Sequence, residues 1–202
     1  MTRCESQLAN VSRYMSHFVL ELFFDVDTEQ SIRCLWEQAD AMPGWTPSAR
    51  GYARPHISIA STSIVDTNTF DPILKDVVAL TPPLPITFSS VATFPSDEGV
   101  VFLAPVVTAN LLFLHERLYE ALRQSGALIA NWYSPGQWVP HCTVAHGLPS
   151  GRVPHVIELC LKGPLPLVGH VEQIALVEVP TNQHDAAKYL SLTGVEVKQR
   201  SS

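Results

Sequence analysis

The spacing of hydrophobic residues changes several times along the chain, and each change predicts a new element. Residues 17–25 (HFVLELFFD) are mostly apolar over a short stretch and predict a strand. The following apolar positions recur at helical spacing and predict a helix, with Asp27 or Thr28 as its cap: Ile32, Leu35, Trp36 and Ala39. Residues 54–60 (RPHISIA) then alternate with the period of a half-buried strand. The chain therefore opens with a strand, a helix and a second strand.

The rest of the pattern repeats this order. Asn68 can cap a helix that ends before Pro82, and a turn at 95–99 joins two predicted strands, 84–94 and 100–107. Further elements are predicted as a helix at 109–124, an extended segment at 138–146, a helix at 152–162 and strands at 165–168, 171–179 and 188–193. No linker separates independent domains. We therefore predict one α+β domain of two similar lobes over residues 14–197, with flexible termini at 1–13 and 198–202.

Composition narrows the functional classes. With 202 residues and 46% hydrophobic content, the chain can bury a substantial core. A net charge of −6 argues against an extended nucleic-acid surface, whereas a small nucleotide or an RNA terminus remains compatible as a substrate. We expect a cytoplasmic monomer without membrane contact, because no apolar segment is long enough to span a bilayer and no signal peptide is evident. The cysteines lack metal-ligand spacing and are interpreted as reduced thiols: Cys4, Cys34, Cys142 and Cys160.

Two short motifs match each other residue by residue. PHISIA (residues 55–60) and PHCTVA (residues 140–145) share a proline, a histidine, a hydroxyl residue two positions later, a β-branched residue and an alanine. Strand alternation places the histidine and the hydroxyl residue of each motif on one face. A duplicated pattern is far more specific than a single copy. The four residues that it selects are His56, Ser58, His141 and Thr143.

These residue types suit the hydrolysis of a phosphodiester. One imidazole can take a proton from water while the other gives a proton to the leaving oxygen, because both titrate near neutral pH. The two hydroxyls can donate to phosphate oxygens as negative charge grows in the transition state. The scheme requires no metal and no cofactor.

At these residues the sequence resembles the 2H phosphoesterase superfamily, which is marked by two H-x-[ST]-x motifs. The flanking segments VVFLAPV, LHERL and GQWVPHCTVA are most similar to its 2'-5' RNA ligase-like (LigT-like) branch. The resemblance implies a bilobed pseudo-two-fold fold in which two antiparallel sheets line a central groove with helices outside. It also implies that His56 and His141 are catalytic and that Ser58 and Thr143 bind phosphate. The implied substrates are 2',3'-cyclic phosphates, 2'-5' linkages or RNA ends, with His141 as base and His56 as acid.

Other residues are candidates for substrate contacts. Arg54 lies on the same strand face as His56 and could hold a phosphate, although an ion pair would explain it equally well. Trp138 could stack on a base, as could Tyr133 and Phe94, but aromatic residues near a strand are also common in a core.

Several alternatives compete with hydrolysis by two histidines. A nucleotide- or RNA-binding module of the same fold would keep the phosphate pocket with little turnover. A metal-dependent hydrolase needs a cluster of carboxylates and histidines that the spacing does not provide, and His146 falls on the strand face opposite His141. A serine hydrolase would leave the duplication unexplained, because Ser58 is not part of a G-x-S-x-G motif. The base preference, and hydrolysis as opposed to ligation, are not determined by the sequence.

Overall fold

The computed structural model describes residues 17–43, 54–63, 65–179 and 188–192, and the elements fall in the predicted order. The strands are β1 (His17–Phe24), β2 (His56–Thr62), β3 (Leu84–Thr93), β4 (Val101–Pro105), β5 (Cys142–Ala145), β6 (Leu167–Val179) and β7 (Lys188–Ser191). The helices are α1 (Val26–Asp40), α2 (Thr67–Ala79), α3 (Ala109–Gln124) and α4 (Val153–Leu161). Among the described helices, none is both long and apolar enough to cross a bilayer. The predicted domain ends, 1–13 and 198–202, lie outside the described residues.

The strands form one antiparallel sheet of seven strands in the order β2-β1-β6-β3-β4-β5, with β7 also paired to β6. Two antiparallel sheets were predicted, whereas the structure has a single sheet whose two halves share β6. This strand is 13 residues long, so residues 167–171 pair with β3 and residues 171–179 pair with β1. The two short strands predicted at 165–168 and 171–179 are therefore one continuous strand. The two motif strands, β2 and β5, are the outermost strands of the order, yet they contact each other.

Both motif strands carry the same irregularity. In β2, Ala60 pairs with Leu20 and Ser58 pairs with Glu21, so one extra residue stands on β2 between two neighbours on β1. In β5 the equivalent shift leaves one extra residue between the partners of Val101 and Phe102. A local shift of this kind changes the twist of a strand and re-aims its side chains, and it is frequent next to active sites. The duplication in the sequence is thus a duplication in backbone geometry.

The helices pack across the two halves of the sheet. Helix α1 follows β1 but contacts β5 and α4, while α3 follows β4 and contacts β2 and α2. The buried faces of these helices and the apolar face of the strands form the main core, which includes Leu20, Leu22, Ile57, Ile59, Leu118 and Val144. Because α1 and α3 each pack on the opposite half, the core ties the two motif strands to one another.

Two helix starts differ from the prediction. The cap of α1 is Asp25, whose carboxylate accepts from the backbone N–H of Thr28 at 2.9 Å. The cap of α2 is Asp66, whose carboxylate accepts from the N–H of Asn68 at 3.1 Å. In both cases a carboxylate upstream of the predicted cap reaches the free N–H groups of the first turn, which stabilises the helix start.

Candidate active site

The two motifs place their polar side chains as strand alternation predicts. His56 is the first residue of β2, and His141 immediately precedes β5. Both histidines and both hydroxyl residues are half-buried, whereas the residues between them are buried in the core. We call the sheet face that carries these four side chains the motif face.

Both imidazoles are oriented by the same backbone hydrogen bond. His56 Nδ1 donates to the carbonyl oxygen of Arg54 at 2.7 Å, and His141 Nδ1 donates to that of Val139 at 2.8 Å. Each acceptor lies two residues before its histidine. A proton held on Nδ1 fixes the tautomer of the neutral ring and leaves Nε2 as the basic atom. Nε2 is therefore the atom of each ring that can exchange a proton.

Two tryptophans connect the halves of the site in a reciprocal manner. Trp36 of α1 donates from its indole Nε1 to the carbonyl oxygen of Thr143 at 2.9 Å. Trp138, next to the second motif, donates from Nε1 to the carbonyl oxygen of Ser58, also at 2.9 Å. Both indoles are buried. The backbone of each phosphate-binding candidate is thus held by a side chain of the other half of the site.

His141 lies among aromatic side chains. The ring of Phe94 meets it edge-on with centroids 5.0 Å apart, and the ring of Phe102 lies at 5.1 Å. Burial lowers the pKa of His141, and the nearby charge of His56 lowers it further, against an opposing effect of the hydrogen bond to Val139. His141 is therefore favoured in its neutral form, which can accept a proton.

His56 has a different neighbour. Glu21 of β1 is buried on the motif face, and its Oε1 lies 3.4 Å from His56 Nε2. The ring of Phe23 lies beside the same histidine, with centroids 6.2 Å apart. Glu21 is not among the site residues predicted from the sequence, although a charged residue in the middle of the apolar stretch 17–25 is a signal of a special role.

Tyr133 lies near the first motif. It is half-buried in a single 3-10 turn, residues 131–133, and this turn contacts β2. Burial raises the pKa of Tyr133, and the charge of Glu21 raises it further, so the phenol keeps its proton near neutral pH. The structure thus places Tyr133 beside the strand that carries Ser58. The role of Tyr133 in base stacking stays a prediction. The neighbouring Trp132, which the sequence analysis did not single out, is 69% exposed.

Arg54 was predicted either to hold a phosphate or to form an ion pair, and the structure shows the ion pair. Its Nη2 donates to Glu29 Oε2 at 2.9 Å, its Nη1 donates to Gln173 at 3.1 Å, and its guanidinium lies over the ring of Phe23. Strand alternation gave the correct face, but Glu29 comes from α1, which the strand pattern could not reveal. The ion pair instead fixes the residue whose carbonyl orients His56.

Trp138 is buried, which corrects the prediction that it could stack on a base. The predicted base-stacking surface is buried, and its ring lies parallel to that of His115 at a centroid distance of 4.1 Å. His115 in turn donates from Nε2 to the carbonyl oxygen of Tyr133 at 2.9 Å. The tryptophan therefore belongs to the packing behind the site. Phe94 packs against His141, and its use as a stacking surface stays a prediction.

The described residues include no cluster of metal-ligating side chains. Within the described ranges, no three histidine, cysteine or carboxylate side chains converge in a way that could hold an ion. Beside the motif histidines the structure places Glu21, which lies 3.4 Å from His56. The chemistry that these residues can perform themselves is proton transfer and hydrogen bonding.

The antiparallel sheet presents one histidine and one hydroxyl residue from each half, as the resemblance to the 2H phosphoesterases implies. The family model of the 2'-5' RNA ligase superfamily matches residues 28–183, which is most of the chain. The chain therefore belongs to the 2'-5' RNA ligase superfamily, and the resemblance found in the sequence is confirmed. No curated protein sequence gives a significant match.

Solved structures agree on the fold. LigT of E. coli in complex with 3'-AMP is 14% identical, with a TM-score of 0.57, and the alignment covers 89% of this chain and 96% of that one. TT0787 of Thermus thermophilus is 16% identical, with a TM-score of 0.58 and coverage of 87% and 94%. A further protein, described as a phosphoesterase, is 15% identical with a TM-score of 0.57 and coverage of 88% and 95%. At these identities the comparison establishes the α+β fold over almost the full length.

Proposed function

We propose that the chain is a metal-independent phosphodiesterase that hydrolyses a 2',3'-cyclic phosphate or a 2'-5' linkage in a nucleotide or at an RNA end. The observation that carries the proposal is the matched orientation of His56 and His141. Both rings come from equivalent positions of the two halves, and both are tied through Nδ1 to the carbonyl two residues before. The two motif strands contact each other, and each ring has Nε2 as its proton-exchanging atom, which suits an acid and a base acting on the same phosphate.

In the proposed reaction, His141 Nε2 takes a proton from water as the water oxygen forms a bond to phosphorus. The bond from phosphorus to the leaving oxygen breaks, the electron pair stays on that oxygen, and His56 Nε2 supplies its proton. The products are a phosphomonoester and an alcohol. The proton gained by His141 returns to His56 through solvent before the next turnover. General acid and general base catalysis each contribute about 10² to 10⁴ in rate.

The hydroxyls of Ser58 and Thr143 are proposed to donate to the non-bridging phosphate oxygens. Their backbones are held by the two indole hydrogen bonds, each 2.9 Å long, so the hydroxyls need little rearrangement when charge develops. Tyr133 can support Ser58 because its turn contacts β2 and burial keeps its phenol neutral near neutral pH.

The nucleotide is the proposed substrate class because E. coli LigT, which shares the fold, was crystallised with 3'-AMP, with ATP and with phosphate. We propose Trp132 as a base-stacking residue in place of Trp138. Trp132 is exposed and adjoins Tyr133, whose turn contacts β2. Stacking on an aromatic residue contributes about 1–3 kcal/mol per base, so Trp132→Ala should raise KM about 5- to 100-fold and change kcat little.

A substrate panel tests the proposal. Wild type is assayed with 2',3'-cyclic mononucleotides, 2'-5' and 3'-5' dinucleotides and RNA with a cyclic phosphate end, with and without EDTA. His56→Ala and His141→Ala should each lose at least about 100-fold in kcat, because each removes one proton-transfer group. The matched control is His155→Ala, because His155 is an exposed histidine on α4 and should leave the rate unchanged.

Other outcomes would reject parts of the proposal. Activity that disappears with EDTA and returns with a divalent ion would contradict metal independence. Tight nucleotide binding without turnover of any substrate would favour the binding module of the same fold.

A further inference from the structure

The two halves of the site differ at one pseudo-equivalent position. In the first half, Ser58 is paired across the strands with Glu21, at the point where the register shifts. In the second half, Thr143 is paired at the same kind of shift with Phe102. Residues directly opposite in an antiparallel pair point to the same face, so Glu21 and Phe102 both project onto the motif face. The duplication thus places a carboxylate in one half and a phenyl ring in the other.

Glu21 is placed to act on His56 rather than on solvent. Its side chain is only 7% exposed, and its Oε1 lies 3.4 Å from His56 Nε2. Because His56 Nδ1 already donates to the Arg54 carbonyl, a second proton on Nε2 makes the ring an imidazolium. A buried carboxylate at this distance stabilises that charged form by electrostatic attraction. The contact is an ion pair at 3.4 Å, so the Nε2 proton can still pass to a leaving oxygen.

Other charged and titratable groups face the pair from neighbouring elements. Tyr133 approaches from the 3-10 turn as a neutral phenol, and His141 approaches from the other half. The charge of Arg54 is balanced mainly by Glu29, with which it pairs at 2.9 Å. In the second half, Phe102 and Phe94 surround His141 with apolar surface, which disfavours an imidazolium there.

We propose that Glu21 is the positioning residue that keeps His56 protonated on Nε2 and so assigns the acid role to His56 and the base role to His141. This inference rests on the proposed function. It explains why two motifs that are nearly equivalent in sequence would take different roles, one as the acid and the other as the base. Glu21 acts through His56 and makes no bond to the substrate in this scheme.

The first test compares Glu21→Gln with wild type on two substrates, one with the natural leaving oxygen and one with sulfur at the bridging position. A thiolate leaves with little need for protonation. Glu21→Gln should therefore lose about 10- to 100-fold in kcat on the oxygen substrate and less than about 3-fold on the sulfur substrate. Glu21→Asp should recover part of the loss because it restores the charge. Glu37→Gln is the matched control, since Glu37 is exposed on α1, and it should behave as wild type.

The second test needs no turnover. An NMR titration follows the ring of His56 in wild type and in Glu21→Gln, with a thermal melt to establish that both are folded. Removal of the carboxylate 3.4 Å from Nε2 should move the midpoint of the His56 titration to lower pH. The same change should move the basic limb of the pH profile of kcat/KM to lower pH.

The outcomes separate this inference from the proposed function. Wild type without activity on any substrate would remove the proposed function, while the NMR titration would still decide the pairing of Glu21 with His56. Active wild type with an equal loss by Glu21→Gln on both substrates would mean that Glu21 serves folding or substrate placement only. An unchanged His56 midpoint, or a variant as active as wild type, would overturn the inference.

Discussion

Trp138→Phe tests whether the reciprocal indole bonds hold the two halves of the site together. Phenylalanine keeps an aromatic ring beside His115 but removes the N–H that donates to Ser58 at 2.9 Å. Loss of a neutral hydrogen bond costs about 1 kcal/mol. The smaller ring also buries roughly 40 Å² less apolar surface, which adds about 1 kcal/mol. We therefore expect the free energy of unfolding to fall by about 2 kcal/mol.

The assay is urea unfolding followed by circular dichroism, with thermal unfolding in parallel. For a protein of this length, a loss of about 2 kcal/mol lowers Tm by roughly 4–8 °C. Trp36→Phe should show a similar loss, because its donation to Thr143 has the same length of 2.9 Å and the ring is equally buried. Trp132→Phe is the control. That side chain is 69% exposed, so its replacement should stay within about 0.5 kcal/mol of wild type.

Activity adds a second readout. If the indole bond positions Ser58, then Trp138→Phe should lower kcat about 10-fold at temperatures where the variant is fully folded, since small displacements of a phosphate donor are costly. A variant that unfolds within about 0.5 kcal/mol of wild type and keeps its full kcat would refute the idea that the bond matters.

Three further predictions concern the ionisable groups. The acid limb of the pH profile of kcat/KM should lie below pH ~6.5, because the lowered pKa of His141 keeps the base neutral at lower pH than an ordinary histidine; a limb above that value would contradict the assignment. Arg54→Ala should cost about 2–3 kcal/mol in urea unfolding, less than the ~3–5 kcal/mol for an isolated buried charge, because Arg33 still pairs with Glu29 at 2.7 Å. Burial lowers the pKa of His115, so the unfolded chain takes up a proton at a higher pH than the folded chain does. The free energy of unfolding should therefore decline as pH falls from ~6.5 to the lowered pKa of His115. His115→Gln should flatten that decline, and an unchanged slope in urea unfolding would disprove the prediction.

Much of the fold could be predicted because its signals are local. The helix at 109–124 coincides with α3, whose apolar spacing is regular over its whole length and whose cap, Thr108, stands directly before it. The errors in the element boundaries also have identifiable causes. Capping carboxylates at Asp25 and Asp66 moved two helix starts upstream, and the strand at 138–146 shortened to β5 because pairing with β4 begins only at Cys142.

The candidate site shows where local signals end. Alternation within a strand correctly placed the histidine and hydroxyl of each motif on one face. It could not show that Arg54 is engaged by Glu29 from α1, or that the Trp138 ring lies against His115 from α3. These contacts join residues far apart in sequence, and their partners are selected by how the helices pack on the opposite half of the sheet.

The sequence by itself determined that there are two equivalent strands, each with a histidine and a hydroxyl residue on one face, because side-chain alternation is a property of the single strand. Only the tertiary structure decided that the two halves are not equivalent. Cross-strand pairing sets Glu21 opposite Ser58 and Phe102 opposite Thr143, so one histidine lies beside a carboxylate and the other among aromatic rings. The physical reason is that a nearby charge or burial changes the pKa of an imidazole across a few ångströms of space, whatever the separation of the residues along the chain.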